Sequence, residues 1–425
     1  MQNISIPYGK GFLSCDIPKV NLAGIYKAAL PEAASDPSEE VKKALDAPIA
    51  SPPLEELARK AENAVIIASD HTRPVPSRIL MPQLLERLRQ GNPAIKITIL
   101  IATGFHRLTT EEELIAKFGE KIVEEEEILV HDSSRMEDMV DLGLLPSGGR
   151  LLINRIAANA DLLLSEGFIE PHFFAGFSGG RKSVLPGVAS RETVLANHRS
   201  DFIASPFART GILENNPIHK DMLFAAKAAK LAFILNVIID GEKNIIKAFA
   251  GNMEEAHNEG CEFLKKCAKI TVPEADIAIT SNGGYPLDQN VYQSVKGMTA
   301  GESVTKKGGV IIICASCKDG HGGESFYKHL AGYEPQELLE MIAKIPGDQT
   351  VPDQWEYQIL ARILAERKVI LVTKECPHKM LEEMHLYTAS DLKEALSLAF
   401  ILSPAGEKSR IAVIPDGVSV IAEKA

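Results

Sequence analysis

Short runs of continuous apolar residues recur along the chain, and most of them lead into a loop of glycine and polar residues. They are residues 64–68, 97–102, 161–164, 275–280, 310–314, 369–372 and 411–414. Runs of this length that are rich in isoleucine and valine are typical of strands buried on both faces of a parallel sheet. The pattern therefore predicts a series of parallel strands.

Stretches with helical character lie between these runs, at residues 82–90, 110–118, 335–345 and 389–400. The second of them opens with Thr110 and Glu113 at the spacing of a capping box, in which each residue satisfies a free backbone amide at the helix start. Strands that alternate with helices indicate βαβ units. The fold class predicted is therefore α/β, with mostly parallel sheets.

A change in pattern near residue 270 predicts a domain boundary. Residues 237–239 and 244–249 read as a strand pair, and residues 253–268 read as a helix. The turn at 272–276 then leads into a new strand. A chain of 425 residues has room for two or three domains of about 150 residues each. We expect an N-terminal α/β domain at 1–269 and a C-terminal α/β domain at 270–425.

Composition and charge exclude several classes of protein. The net charge is -11 and no long basic run occurs, so the electrostatic footprint of a nucleic-acid binder is missing. The six cysteines are too sparse for a disulfide framework. No run of 18 apolar residues and no secretory leader is found, so we expect a cytoplasmic protein that does not cross a membrane.

Four histidines follow predicted strands, at His71, His106, His172 and His321. In open parallel sheets, ligands bind beyond the carboxyl ends of the strands. One such histidine alone would be read as a solvated loop residue. Several together, with charged neighbours in the same loops, indicate a functional site there.

Residues 170–187, EPHFFAGFSGGRKSVLPG, combine aromatic and basic side chains with glycines. Glycine lets the backbone approach a ligand closely and offer its N–H groups to phosphate. The full GxxxxGK[ST] spacing of a nucleotide-triphosphatase loop is not met around Lys182. No GxGxxG motif follows the first strand, which argues against an ordinary dinucleotide dehydrogenase. On spacing alone, Lys182 fits a cofactor-carrying nucleophile and a phosphate clamp equally well.

Other residues gain meaning only in combination. His198 lies in a helical stretch, where a lone histidine is more often structural, although imidazole is a good nickel ligand. Gln293 and Lys296 share one helix face and suit a carboxylate, but an ordinary exposed face has the same pattern. Trp355 reads by default as a core anchor, and the single CxxC at Cys314 as structural.

Taken together, these segments resemble the nickel-pincer lactate racemase family. The matching stretches are SDHTRPVP (69–76), TGFHR (103–107), residues 170–187, ANHRS (196–200), NPIHKDM (216–222), YPLDQNVYQSVKGM (285–298) and DQWEYQ (353–358). They cover most of the chain in the expected order, and the segment around Lys182 is the most specific of them.

The resemblance implies a nickel(II) pincer nucleotide as cofactor. This is a nicotinate-derived mononucleotide whose thioamide and thiocarboxylate groups hold nickel. Lys182 matches the lysine that forms the covalent tether, and His198 matches the histidine that completes the nickel coordination. Asp70 and Ser178 are assigned to cofactor binding. Soft sulfur donors with one imidazole suit Ni(II).

The resemblance also implies the roles of the remaining residues. His106 and His172 match the family's two acid/base histidines, which serve a reversible hydride transfer from the 2-carbon of a hydroxy acid. Both are expected to titrate near neutrality. Substrate binding is assigned to Arg73, Tyr292, Gln293, Lys296 and Trp355. The family has two α/β domains with the active site in the cleft between them.

The sequence favours lactate as substrate, because Phe173, Phe174 and Phe177 suggest a small apolar wall and these segments offer no extra arginine that would pair with a second carboxylate. Malate, an aryl-lactate and an aldonate stay open as alternatives. Expected partners are the 2-hydroxy acid and cofactor-synthesis proteins; the oligomeric state is not predicted. Two rival hypotheses are a pyridoxal-phosphate enzyme with Lys182 as Schiff base and a phosphate-binding sensor without catalytic activity.

Overall fold

The computed structural model describes all 425 residues. Its strands are β1 (Gln2–Tyr8), β2 (Gly11–Ile17), β3 (Leu22–Ile25), β4 (Asn63–Ser69), β5 (Lys96–Ala102), β6 (Glu127–Val130), β7 (Met139–Leu144), β8 (Arg150–Asn154), β9 (Leu162–Phe168), β10 (Pro171–His172), β11 (Gly176–Phe177), β12 (Leu231–Ile239), β13 (Ile245–Gly251), β14 (Lys269–Val272), β15 (Ala275–Ser281), β16 (Thr305–Cys314), β17 (Lys368–Val372), β18 (Tyr387–Ala389), β19 (Ile411–Ile414) and β20 (Ile421–Lys424).

The α-helices are α1 (Pro37–Asp46), α2 (Leu54–Ala58), α3 (Ser77–Gly91), α4 (Glu111–Phe118), α5 (Glu120–Glu125), α6 (Arg155–Ala158), α7 (Arg191–Asn197), α8 (Ser200–Ala204), α9 (Pro217–Ala228), α10 (Glu255–Ala268), α11 (Val291–Val304), α12 (Glu324–Gly332), α13 (Pro335–Ile342), α14 (Gln354–Glu366), α15 (His378–Glu383) and α16 (Leu392–Leu402). Short 3-10 turns lie at Met136–Asp138, Gly180–Ser183, Gly347–Gln349 and Gly406–Lys408. No helix is both long and apolar enough to cross a bilayer.

Two six-stranded sheets organise the molecule. In the first, the order is β13-β12-β9-β4-β5-β6, and only β13 is antiparallel to its neighbour. Alternate residues of β4 enter different core clusters, Val65 on one face and Ile66 on the other. Both faces of the sheet are therefore buried, which explains the continuous apolar runs and confirms the predicted α/β class.

The second sheet has the order β18-β17-β16-β15-β19-β3 and is parallel throughout. The hairpin β1–β2 packs against it through Ile4, Ile6 and Ile17. The first 25 residues thus lie on the second sheet, although they precede it by some 250 residues in the chain. The division at residue 269 stays a prediction. Strand β3 precedes this residue in the chain, but it belongs to the second sheet, whose other strands all follow residue 269.

Several element bounds differ from the predicted ones for identifiable reasons. Strand β9 continues to Phe168, so the polar residues Ser165 and Glu166 lie inside a fully buried strand and not in a loop. Helix α16 begins at Leu392, because Asp391 caps it by accepting a hydrogen bond from the Glu394 amide at 2.8 Å. The predicted capping box at the start of α4 is confirmed.

Helix α3 begins at Ser77, before the predicted start at Pro82. Proline inside a helix removes one backbone hydrogen bond and is costly. Here Leu80, Met81 and Leu84 continue one buried stripe through the proline. Burial of that stripe offsets the cost of the missing hydrogen bond.

The order of the strands places a crevice in each sheet. In the first sheet β4 and β9 are neighbours. Strands β5 and β6 follow on the side of β4, and β12 and β13 follow on the side of β9, so the strand order reverses between them. In the second, β15 has β16 on one side and β19 on the other. Such switch points open a cleft beyond the carboxyl ends of the strands, where ligands bind.

Asn216 connects helix α9 to the glycine-rich segment by hydrogen bonds. Replacing Asn216 tests how much this connection stabilises the fold. Asn216 is fully buried, and its Oδ1 caps α9 by accepting from the Ile218 amide at 3.0 Å. Its Nδ2 donates to the Phe174 carbonyl at 2.8 Å. We expect Asn216→Ala to lower the free energy of unfolding by about 2–4 kcal/mol, from the lost cap and the unpaired buried carbonyl. Urea denaturation followed by circular dichroism measures this.

The matched control is Asn258→Ala, at an exposed position on α10. A surface change of this kind stays within about 0.5 kcal/mol of the parent. Equal stability of the two variants would contradict the role of Asn216.

Candidate active site

A cavity of about 570 Å³ lies at the switch point of the first sheet, beyond the carboxyl ends of β4 and β9, and side chains from the second half of the chain close it. This is in the range of ligand pockets in proteins, roughly 300–1,000 Å³. Every site residue predicted from the sequence lines it: Asp70, Arg73, His106, His172, Ser178, Lys182, His198, Tyr292, Gln293, Lys296 and Trp355. Residues up to His198 come from the part of the chain that forms the first sheet, and the others follow strand β15.

His106 is oriented by a carboxylate. Its Nδ1 donates to Asp70 Oδ2 at 2.6 Å, and Asp70 is itself almost fully buried. Although burial raises the pKa of Asp70, the hydrogen bond and charge of His106 together with Thr72 lower it to about 2. The contact with Asp70 holds the proton of a neutral His106 ring on Nδ1. The lone pair on Nε2 is then free, and His106 can act as a base through this atom.

The glycine-rich segment forms a small hairpin, β10 against β11, followed by a 3-10 turn that carries Lys182. Gly179 and Gly180 both have positive φ, at 74° and 53°. A Cβ on Gly179 would lie 2.7 Å from Asn236 Oδ1, and one on Gly180 would lie 2.6 Å from the His257 ring. Larger residues would therefore displace the turn. Ser178 ties the hairpin to β9 by donating to the Phe168 carbonyl at 2.9 Å.

The amine of Lys182 lies over an aromatic face, with Nζ 5.7 Å from the centre of the Phe174 ring. Burial lowers the pKa of Lys182 well below its ordinary value of 10.5, and the positive charges of Arg181 and Arg73 lower it further. Arg181 is fully buried next to it and donates to the Ala175 carbonyl at 2.7 Å. The lowered pKa makes the amine easier to deprotonate, and the free amine is a nucleophile, so Lys182 is suited to form a covalent bond.

His172 differs from the expectation of titration near neutrality. Burial lowers its pKa well below 6.5, and the positive charges of Lys182, Lys296 and Arg73 lower it further. Its Nδ1 accepts a hydrogen bond from the Ala175 amide at 3.3 Å. The neutral ring therefore carries its proton on Nε2, as a donor, whereas His106 presents a lone pair.

His198 has the tautomer that a metal ligand needs. Its Nδ1 donates to the Val194 carbonyl at 2.9 Å, one turn back in α7, which leaves the Nε2 lone pair free. Burial and the nearby Lys182 charge lower the pKa of His198 to about 3, so the ring is neutral. Trp355 and Phe174 enclose it, with ring centres 4.9 Å and 5.3 Å away.

Helix α11 brings the predicted carboxylate-binding pair together. Its start is capped by Asn290, whose Oδ1 accepts from the Gln293 amide at 2.9 Å. Lys296 Nζ donates to Gln293 Oε1 at 2.6 Å, as the three-residue spacing predicts. Arg73 adds a further positive charge that is felt by Lys296. Two cations and an amide thus share one part of the cavity.

Four charged residues of the cavity wall were missed by the sequence reasoning: Glu166, Arg191, Asp353 and Glu356. Glu166 lies within β9 and accepts from Ser77 Oγ at 2.7 Å, and no periodicity marks a carboxylate inside an apolar strand. Arg191 lies over the Phe105 ring at 5.2 Å. Glu356 directly follows Trp355, a predicted site residue, and this adjacency was the one feature of the sequence that could have indicated it.

Some residues singled out from the sequence lie elsewhere. His71 contacts Thr109 at 3.2 Å, and His321 stacks on Tyr327, both outside the cavity wall. Phe173 and Phe174 line the cavity as predicted, but the prediction for Phe177 is wrong, because its ring is buried behind the hairpin in a separate core cluster. The two thiols of the CxxC are free and enter different core clusters, Cys314 in one and Cys317 in the other.

Comparison with protein families assigns both parts of the chain. Residues 8–211 match the model of the lactate racemase N-terminal domain, and residues 270–422 match that of the lactate racemase C-terminal domain. The chain belongs to the lactate racemase family. It is therefore an isomerase, and the hypothesis of a sensor without catalytic activity is wrong.

Individual relatives within the family are similar over their whole length. The lactate racemase of Thermoanaerobacterium thermosaccharolyticum is 57% identical over 99% of this chain and 99% of its own. That of Lactiplantibacillus plantarum is 53% identical over 99% of this chain and all of its own. The structure of the lactate racemase apoprotein from Thermoanaerobacterium thermosaccharolyticum superimposes with a TM-score of 0.96, at 56% identity, over 99% of this chain and 100% of that chain.

A Thermotoga maritima protein of known structure shares the fold, with a TM-score of 0.68 at 20% identity, over 94% of this chain and 100% of that chain.

Buried neutral histidines make stability depend on pH. Burial lowers the pKa of five of them below 6.5: His131, His172, His198, His219 and His257. The unfolded chain takes up more protons on them than the folded chain as pH falls through about 6.5, so stability present above that pH is lost below it. We expect the free energy of unfolding to fall by up to about 2 kcal/mol for each between pH 7 and pH 5.

Urea denaturation across this pH range measures the loss. His219→Gln provides the comparison, because its ring Nδ1 has no hydrogen-bond partner and glutamine removes one titrating group. The variant should lose less stability than the parent between pH 7 and pH 5. A parent whose stability does not change, or rises, on acidification would contradict the account.

Proposed function

We propose that this chain interconverts D- and L-lactate by reversible hydride transfer to a nickel-pincer nucleotide attached to Lys182. The observation that carries the proposal is the grouping, around one cavity, of a lysine amine with a lowered pKa, an imidazole with a free Nε2 and two histidines in different tautomers. The names of the relatives support lactate as the substrate, since both are lactate racemases.

The residues present fit the cofactor. Lys182 has the free amine that a thioamide tether requires. His198 offers one imidazole nitrogen, and no group of three or more His, Cys, Asp or Glu side chains is arranged to hold a metal. A nickel ion at His198 would thus take its other donors from the bound nucleotide. Asp70 and Ser178 belong to loops beside the same cavity and are proposed to contact the nucleotide.

The nucleotide, when bound, supplies a reversible acceptor for hydride. The two histidines move the hydroxyl proton. His106, with a free Nε2 beside buried Asp70, accepts the proton from the hydroxyl of one enantiomer. His172, once protonated to the imidazolium, would donate its Nε2 proton to the carbonyl oxygen of the planar 2-oxo acid as the other enantiomer forms, and return to the neutral ring. The opposite direction exchanges the two roles.

The electrostatics of the cavity explain how His172 becomes active. Burial holds its pKa down, and three cations lower it further before the site is filled: Lys182, Lys296 and Arg73. A tether at Lys182 would remove one of these charges, and the substrate carboxylate would compensate Lys296 and Arg73. The proton affinity of His172 therefore rises towards the range of a general acid only in the loaded site.

Substrate binding is assigned to the side chains that carry positive charge or amide protons. Arg73, Gln293 and Lys296 are proposed to hold the carboxylate and the carbonyl oxygen. Tyr292 and Trp355 line the cavity from the second half of the chain, and Phe173 and Phe174 add apolar surface from the first half. A methyl group suits that surface better than a second carboxylate, which favours lactate over malate.

The experiment compares protein produced with and without the cofactor-synthesis proteins, which are proposed as partners in maturation. The loaded protein should carry about one nickel per chain and remove the optical rotation of D- or L-lactate, whereas the unloaded protein should be folded and inactive. An imine absorbance that borohydride abolishes, in protein without nickel, would contradict the proposal and favour pyridoxal phosphate.

A further inference from the structure

Glu356 is a carboxyl group in the cavity wall that the proposed reaction does not use. It lies in the first turn of α14, is 1% exposed, and lines the cavity beside Trp355. Its Oε1 is buried and has no hydrogen-bond partner. An unpartnered buried oxygen of this kind is costly in free energy. The position therefore calls for a partner that is supplied by a bound molecule.

The surroundings of Glu356 indicate which chemistry that partner has. Lys296 donates its hydrogen bond to Gln293 and not to Glu356. Burial raises the pKa of Glu356, and although Lys296 lowers it, the net value is about 8. The charged and titratable side chains that act on Glu356 or on Lys296 are Arg73, Glu170, Tyr292, Lys296 and Asp353. At neutral pH the group is thus a carboxylic acid, which has an O–H to donate.

A substrate carboxylate satisfies all the groups on this wall at once. The Lys296 ammonium and the Gln293 amide each have protons to donate, and a neutral Glu356 has one more. A carboxylate accepts about four hydrogen bonds. An anionic Glu356 would instead repel the substrate and attract Lys296 away from it.

We propose that Glu356 is a substrate-binding residue of the racemase site, and that as a neutral acid it donates a hydrogen bond to the carboxylate of the 2-hydroxy acid. This inference rests on the proposed function for the identity of the ligand. The inference also implies that binding of the anion depends on pH, because the anion binds to enzyme in which Glu356 is protonated. The reaction itself does not require this coupling. Affinity is full below about pH 8 and falls above it.

The test is calorimetric titration of loaded enzyme with racemic lactate, which turnover leaves unchanged, at pH 7 and pH 9. For the parent enzyme we expect a Kd about tenfold higher at pH 9, with uptake of close to one proton per lactate there. Glu356→Gln keeps a neutral donor, so its Kd should stay within about threefold of the parent at pH 7 and change little by pH 9. Glu356→Ala should bind about ten- to a hundredfold more weakly at pH 7.

Glu366→Gln is the matched control, at the far end of the same helix, where it pairs with Lys307 outside the cavity. It should reproduce the parent at both pH values. The inference is overturned if Glu356→Gln keeps the parent's pH dependence, which would assign that dependence to Lys296. Tighter binding by Glu356→Gln at pH 7, or parent-like binding by Glu356→Ala, would overturn it as well.

The same experiment separates this inference from the proposed function. Parent enzyme that binds lactate without racemising it would refute the function and leave Glu356 to be judged from the variants. Parent enzyme that racemises lactate, with Glu356 variants that bind as it does, would refute only the inference. Parent enzyme that binds no lactate refutes both.

Discussion

Replacing Lys182 by alanine should abolish racemisation and leave a folded protein that carries neither the added mass nor nickel. The amine of Lys182 is the group that the tether requires, and burial together with neighbouring cations lowers its pKa, which favours the nucleophilic free amine. Without the tether the hydride acceptor is absent, so the rate should fall by on the order of 10⁶-fold or more, towards the uncatalysed reaction. Intact-protein mass spectrometry, metal analysis and polarimetry of the same preparation measure the three expectations.

Lys227→Ala is the control, because this lysine pairs with Glu254 at the surface, away from the cavity. It should load with cofactor and turn over like the parent. Lys182→Met keeps most of the aliphatic stem above Phe174 and should fail in the same way as alanine. Loading or turnover in either Lys182 variant would contradict the assignment of the tether.

Removing either acid/base histidine should lower kcat/KM by about 10²–10⁴-fold, the usual contribution of general acid–base catalysis. The reaction needs one group to accept the hydroxyl proton and another, as an imidazolium, to supply a proton, and His106 and His172 both line the cavity where this takes place. Since the two enantiomers have equal free energies, kcat/KM must fall equally in both directions. Initial rates from pure D- and pure L-lactate measure this for His106→Ala and His172→Ala.

His378→Gln is the matched control, since this ring contacts only the Thr373 carbonyl, at 3.2 Å, and lies outside the cavity wall. It should keep the activity of the parent. A variant at His106 or His172 that retains more than a tenth of the parent's kcat/KM, with the cofactor fully loaded, would overturn the two-histidine scheme.

The buried strands were predictable because a parallel sheet covered on both faces needs apolar residues at every position. Strand β9 shows the limit of that rule. Its last residues include the polar Ser165 and Glu166, which the sequence pattern assigns to a loop. In the structure both are buried, and the neighbours that enclose them, such as Ser77 beside Glu166, are distant in the chain. The addition of β3 to β19 depends on contacts between the two ends of the chain, which no local pattern encodes.

The candidate site was predictable in its members and less so in its electrostatics. The strand-end position of His106 and His172 follows from the sheet, and the helical spacing of Gln293 and Lys296 fixes their contact. The low proton affinity of His172 could not be predicted, because it depends on how many cations the two halves of the chain bring to one cavity.

Glu356 illustrates the same limit. It is one residue from Trp355 in the sequence, but its burial against α11 is a property of how the second half of the chain packs. A helix position alone does not tell a solvated glutamate from one that is enclosed without a partner.

The most direct test of hydride transfer follows the hydrogen at the 2-carbon of lactate. Loaded enzyme is given L-lactate with deuterium at that carbon in ordinary water, and the D-lactate formed is analysed by mass spectrometry. The account predicts that the product keeps its deuterium, because the hydrogen leaves and returns as hydride without meeting solvent. Product in which solvent hydrogen has replaced the deuterium would show proton abstraction at carbon and contradict the account.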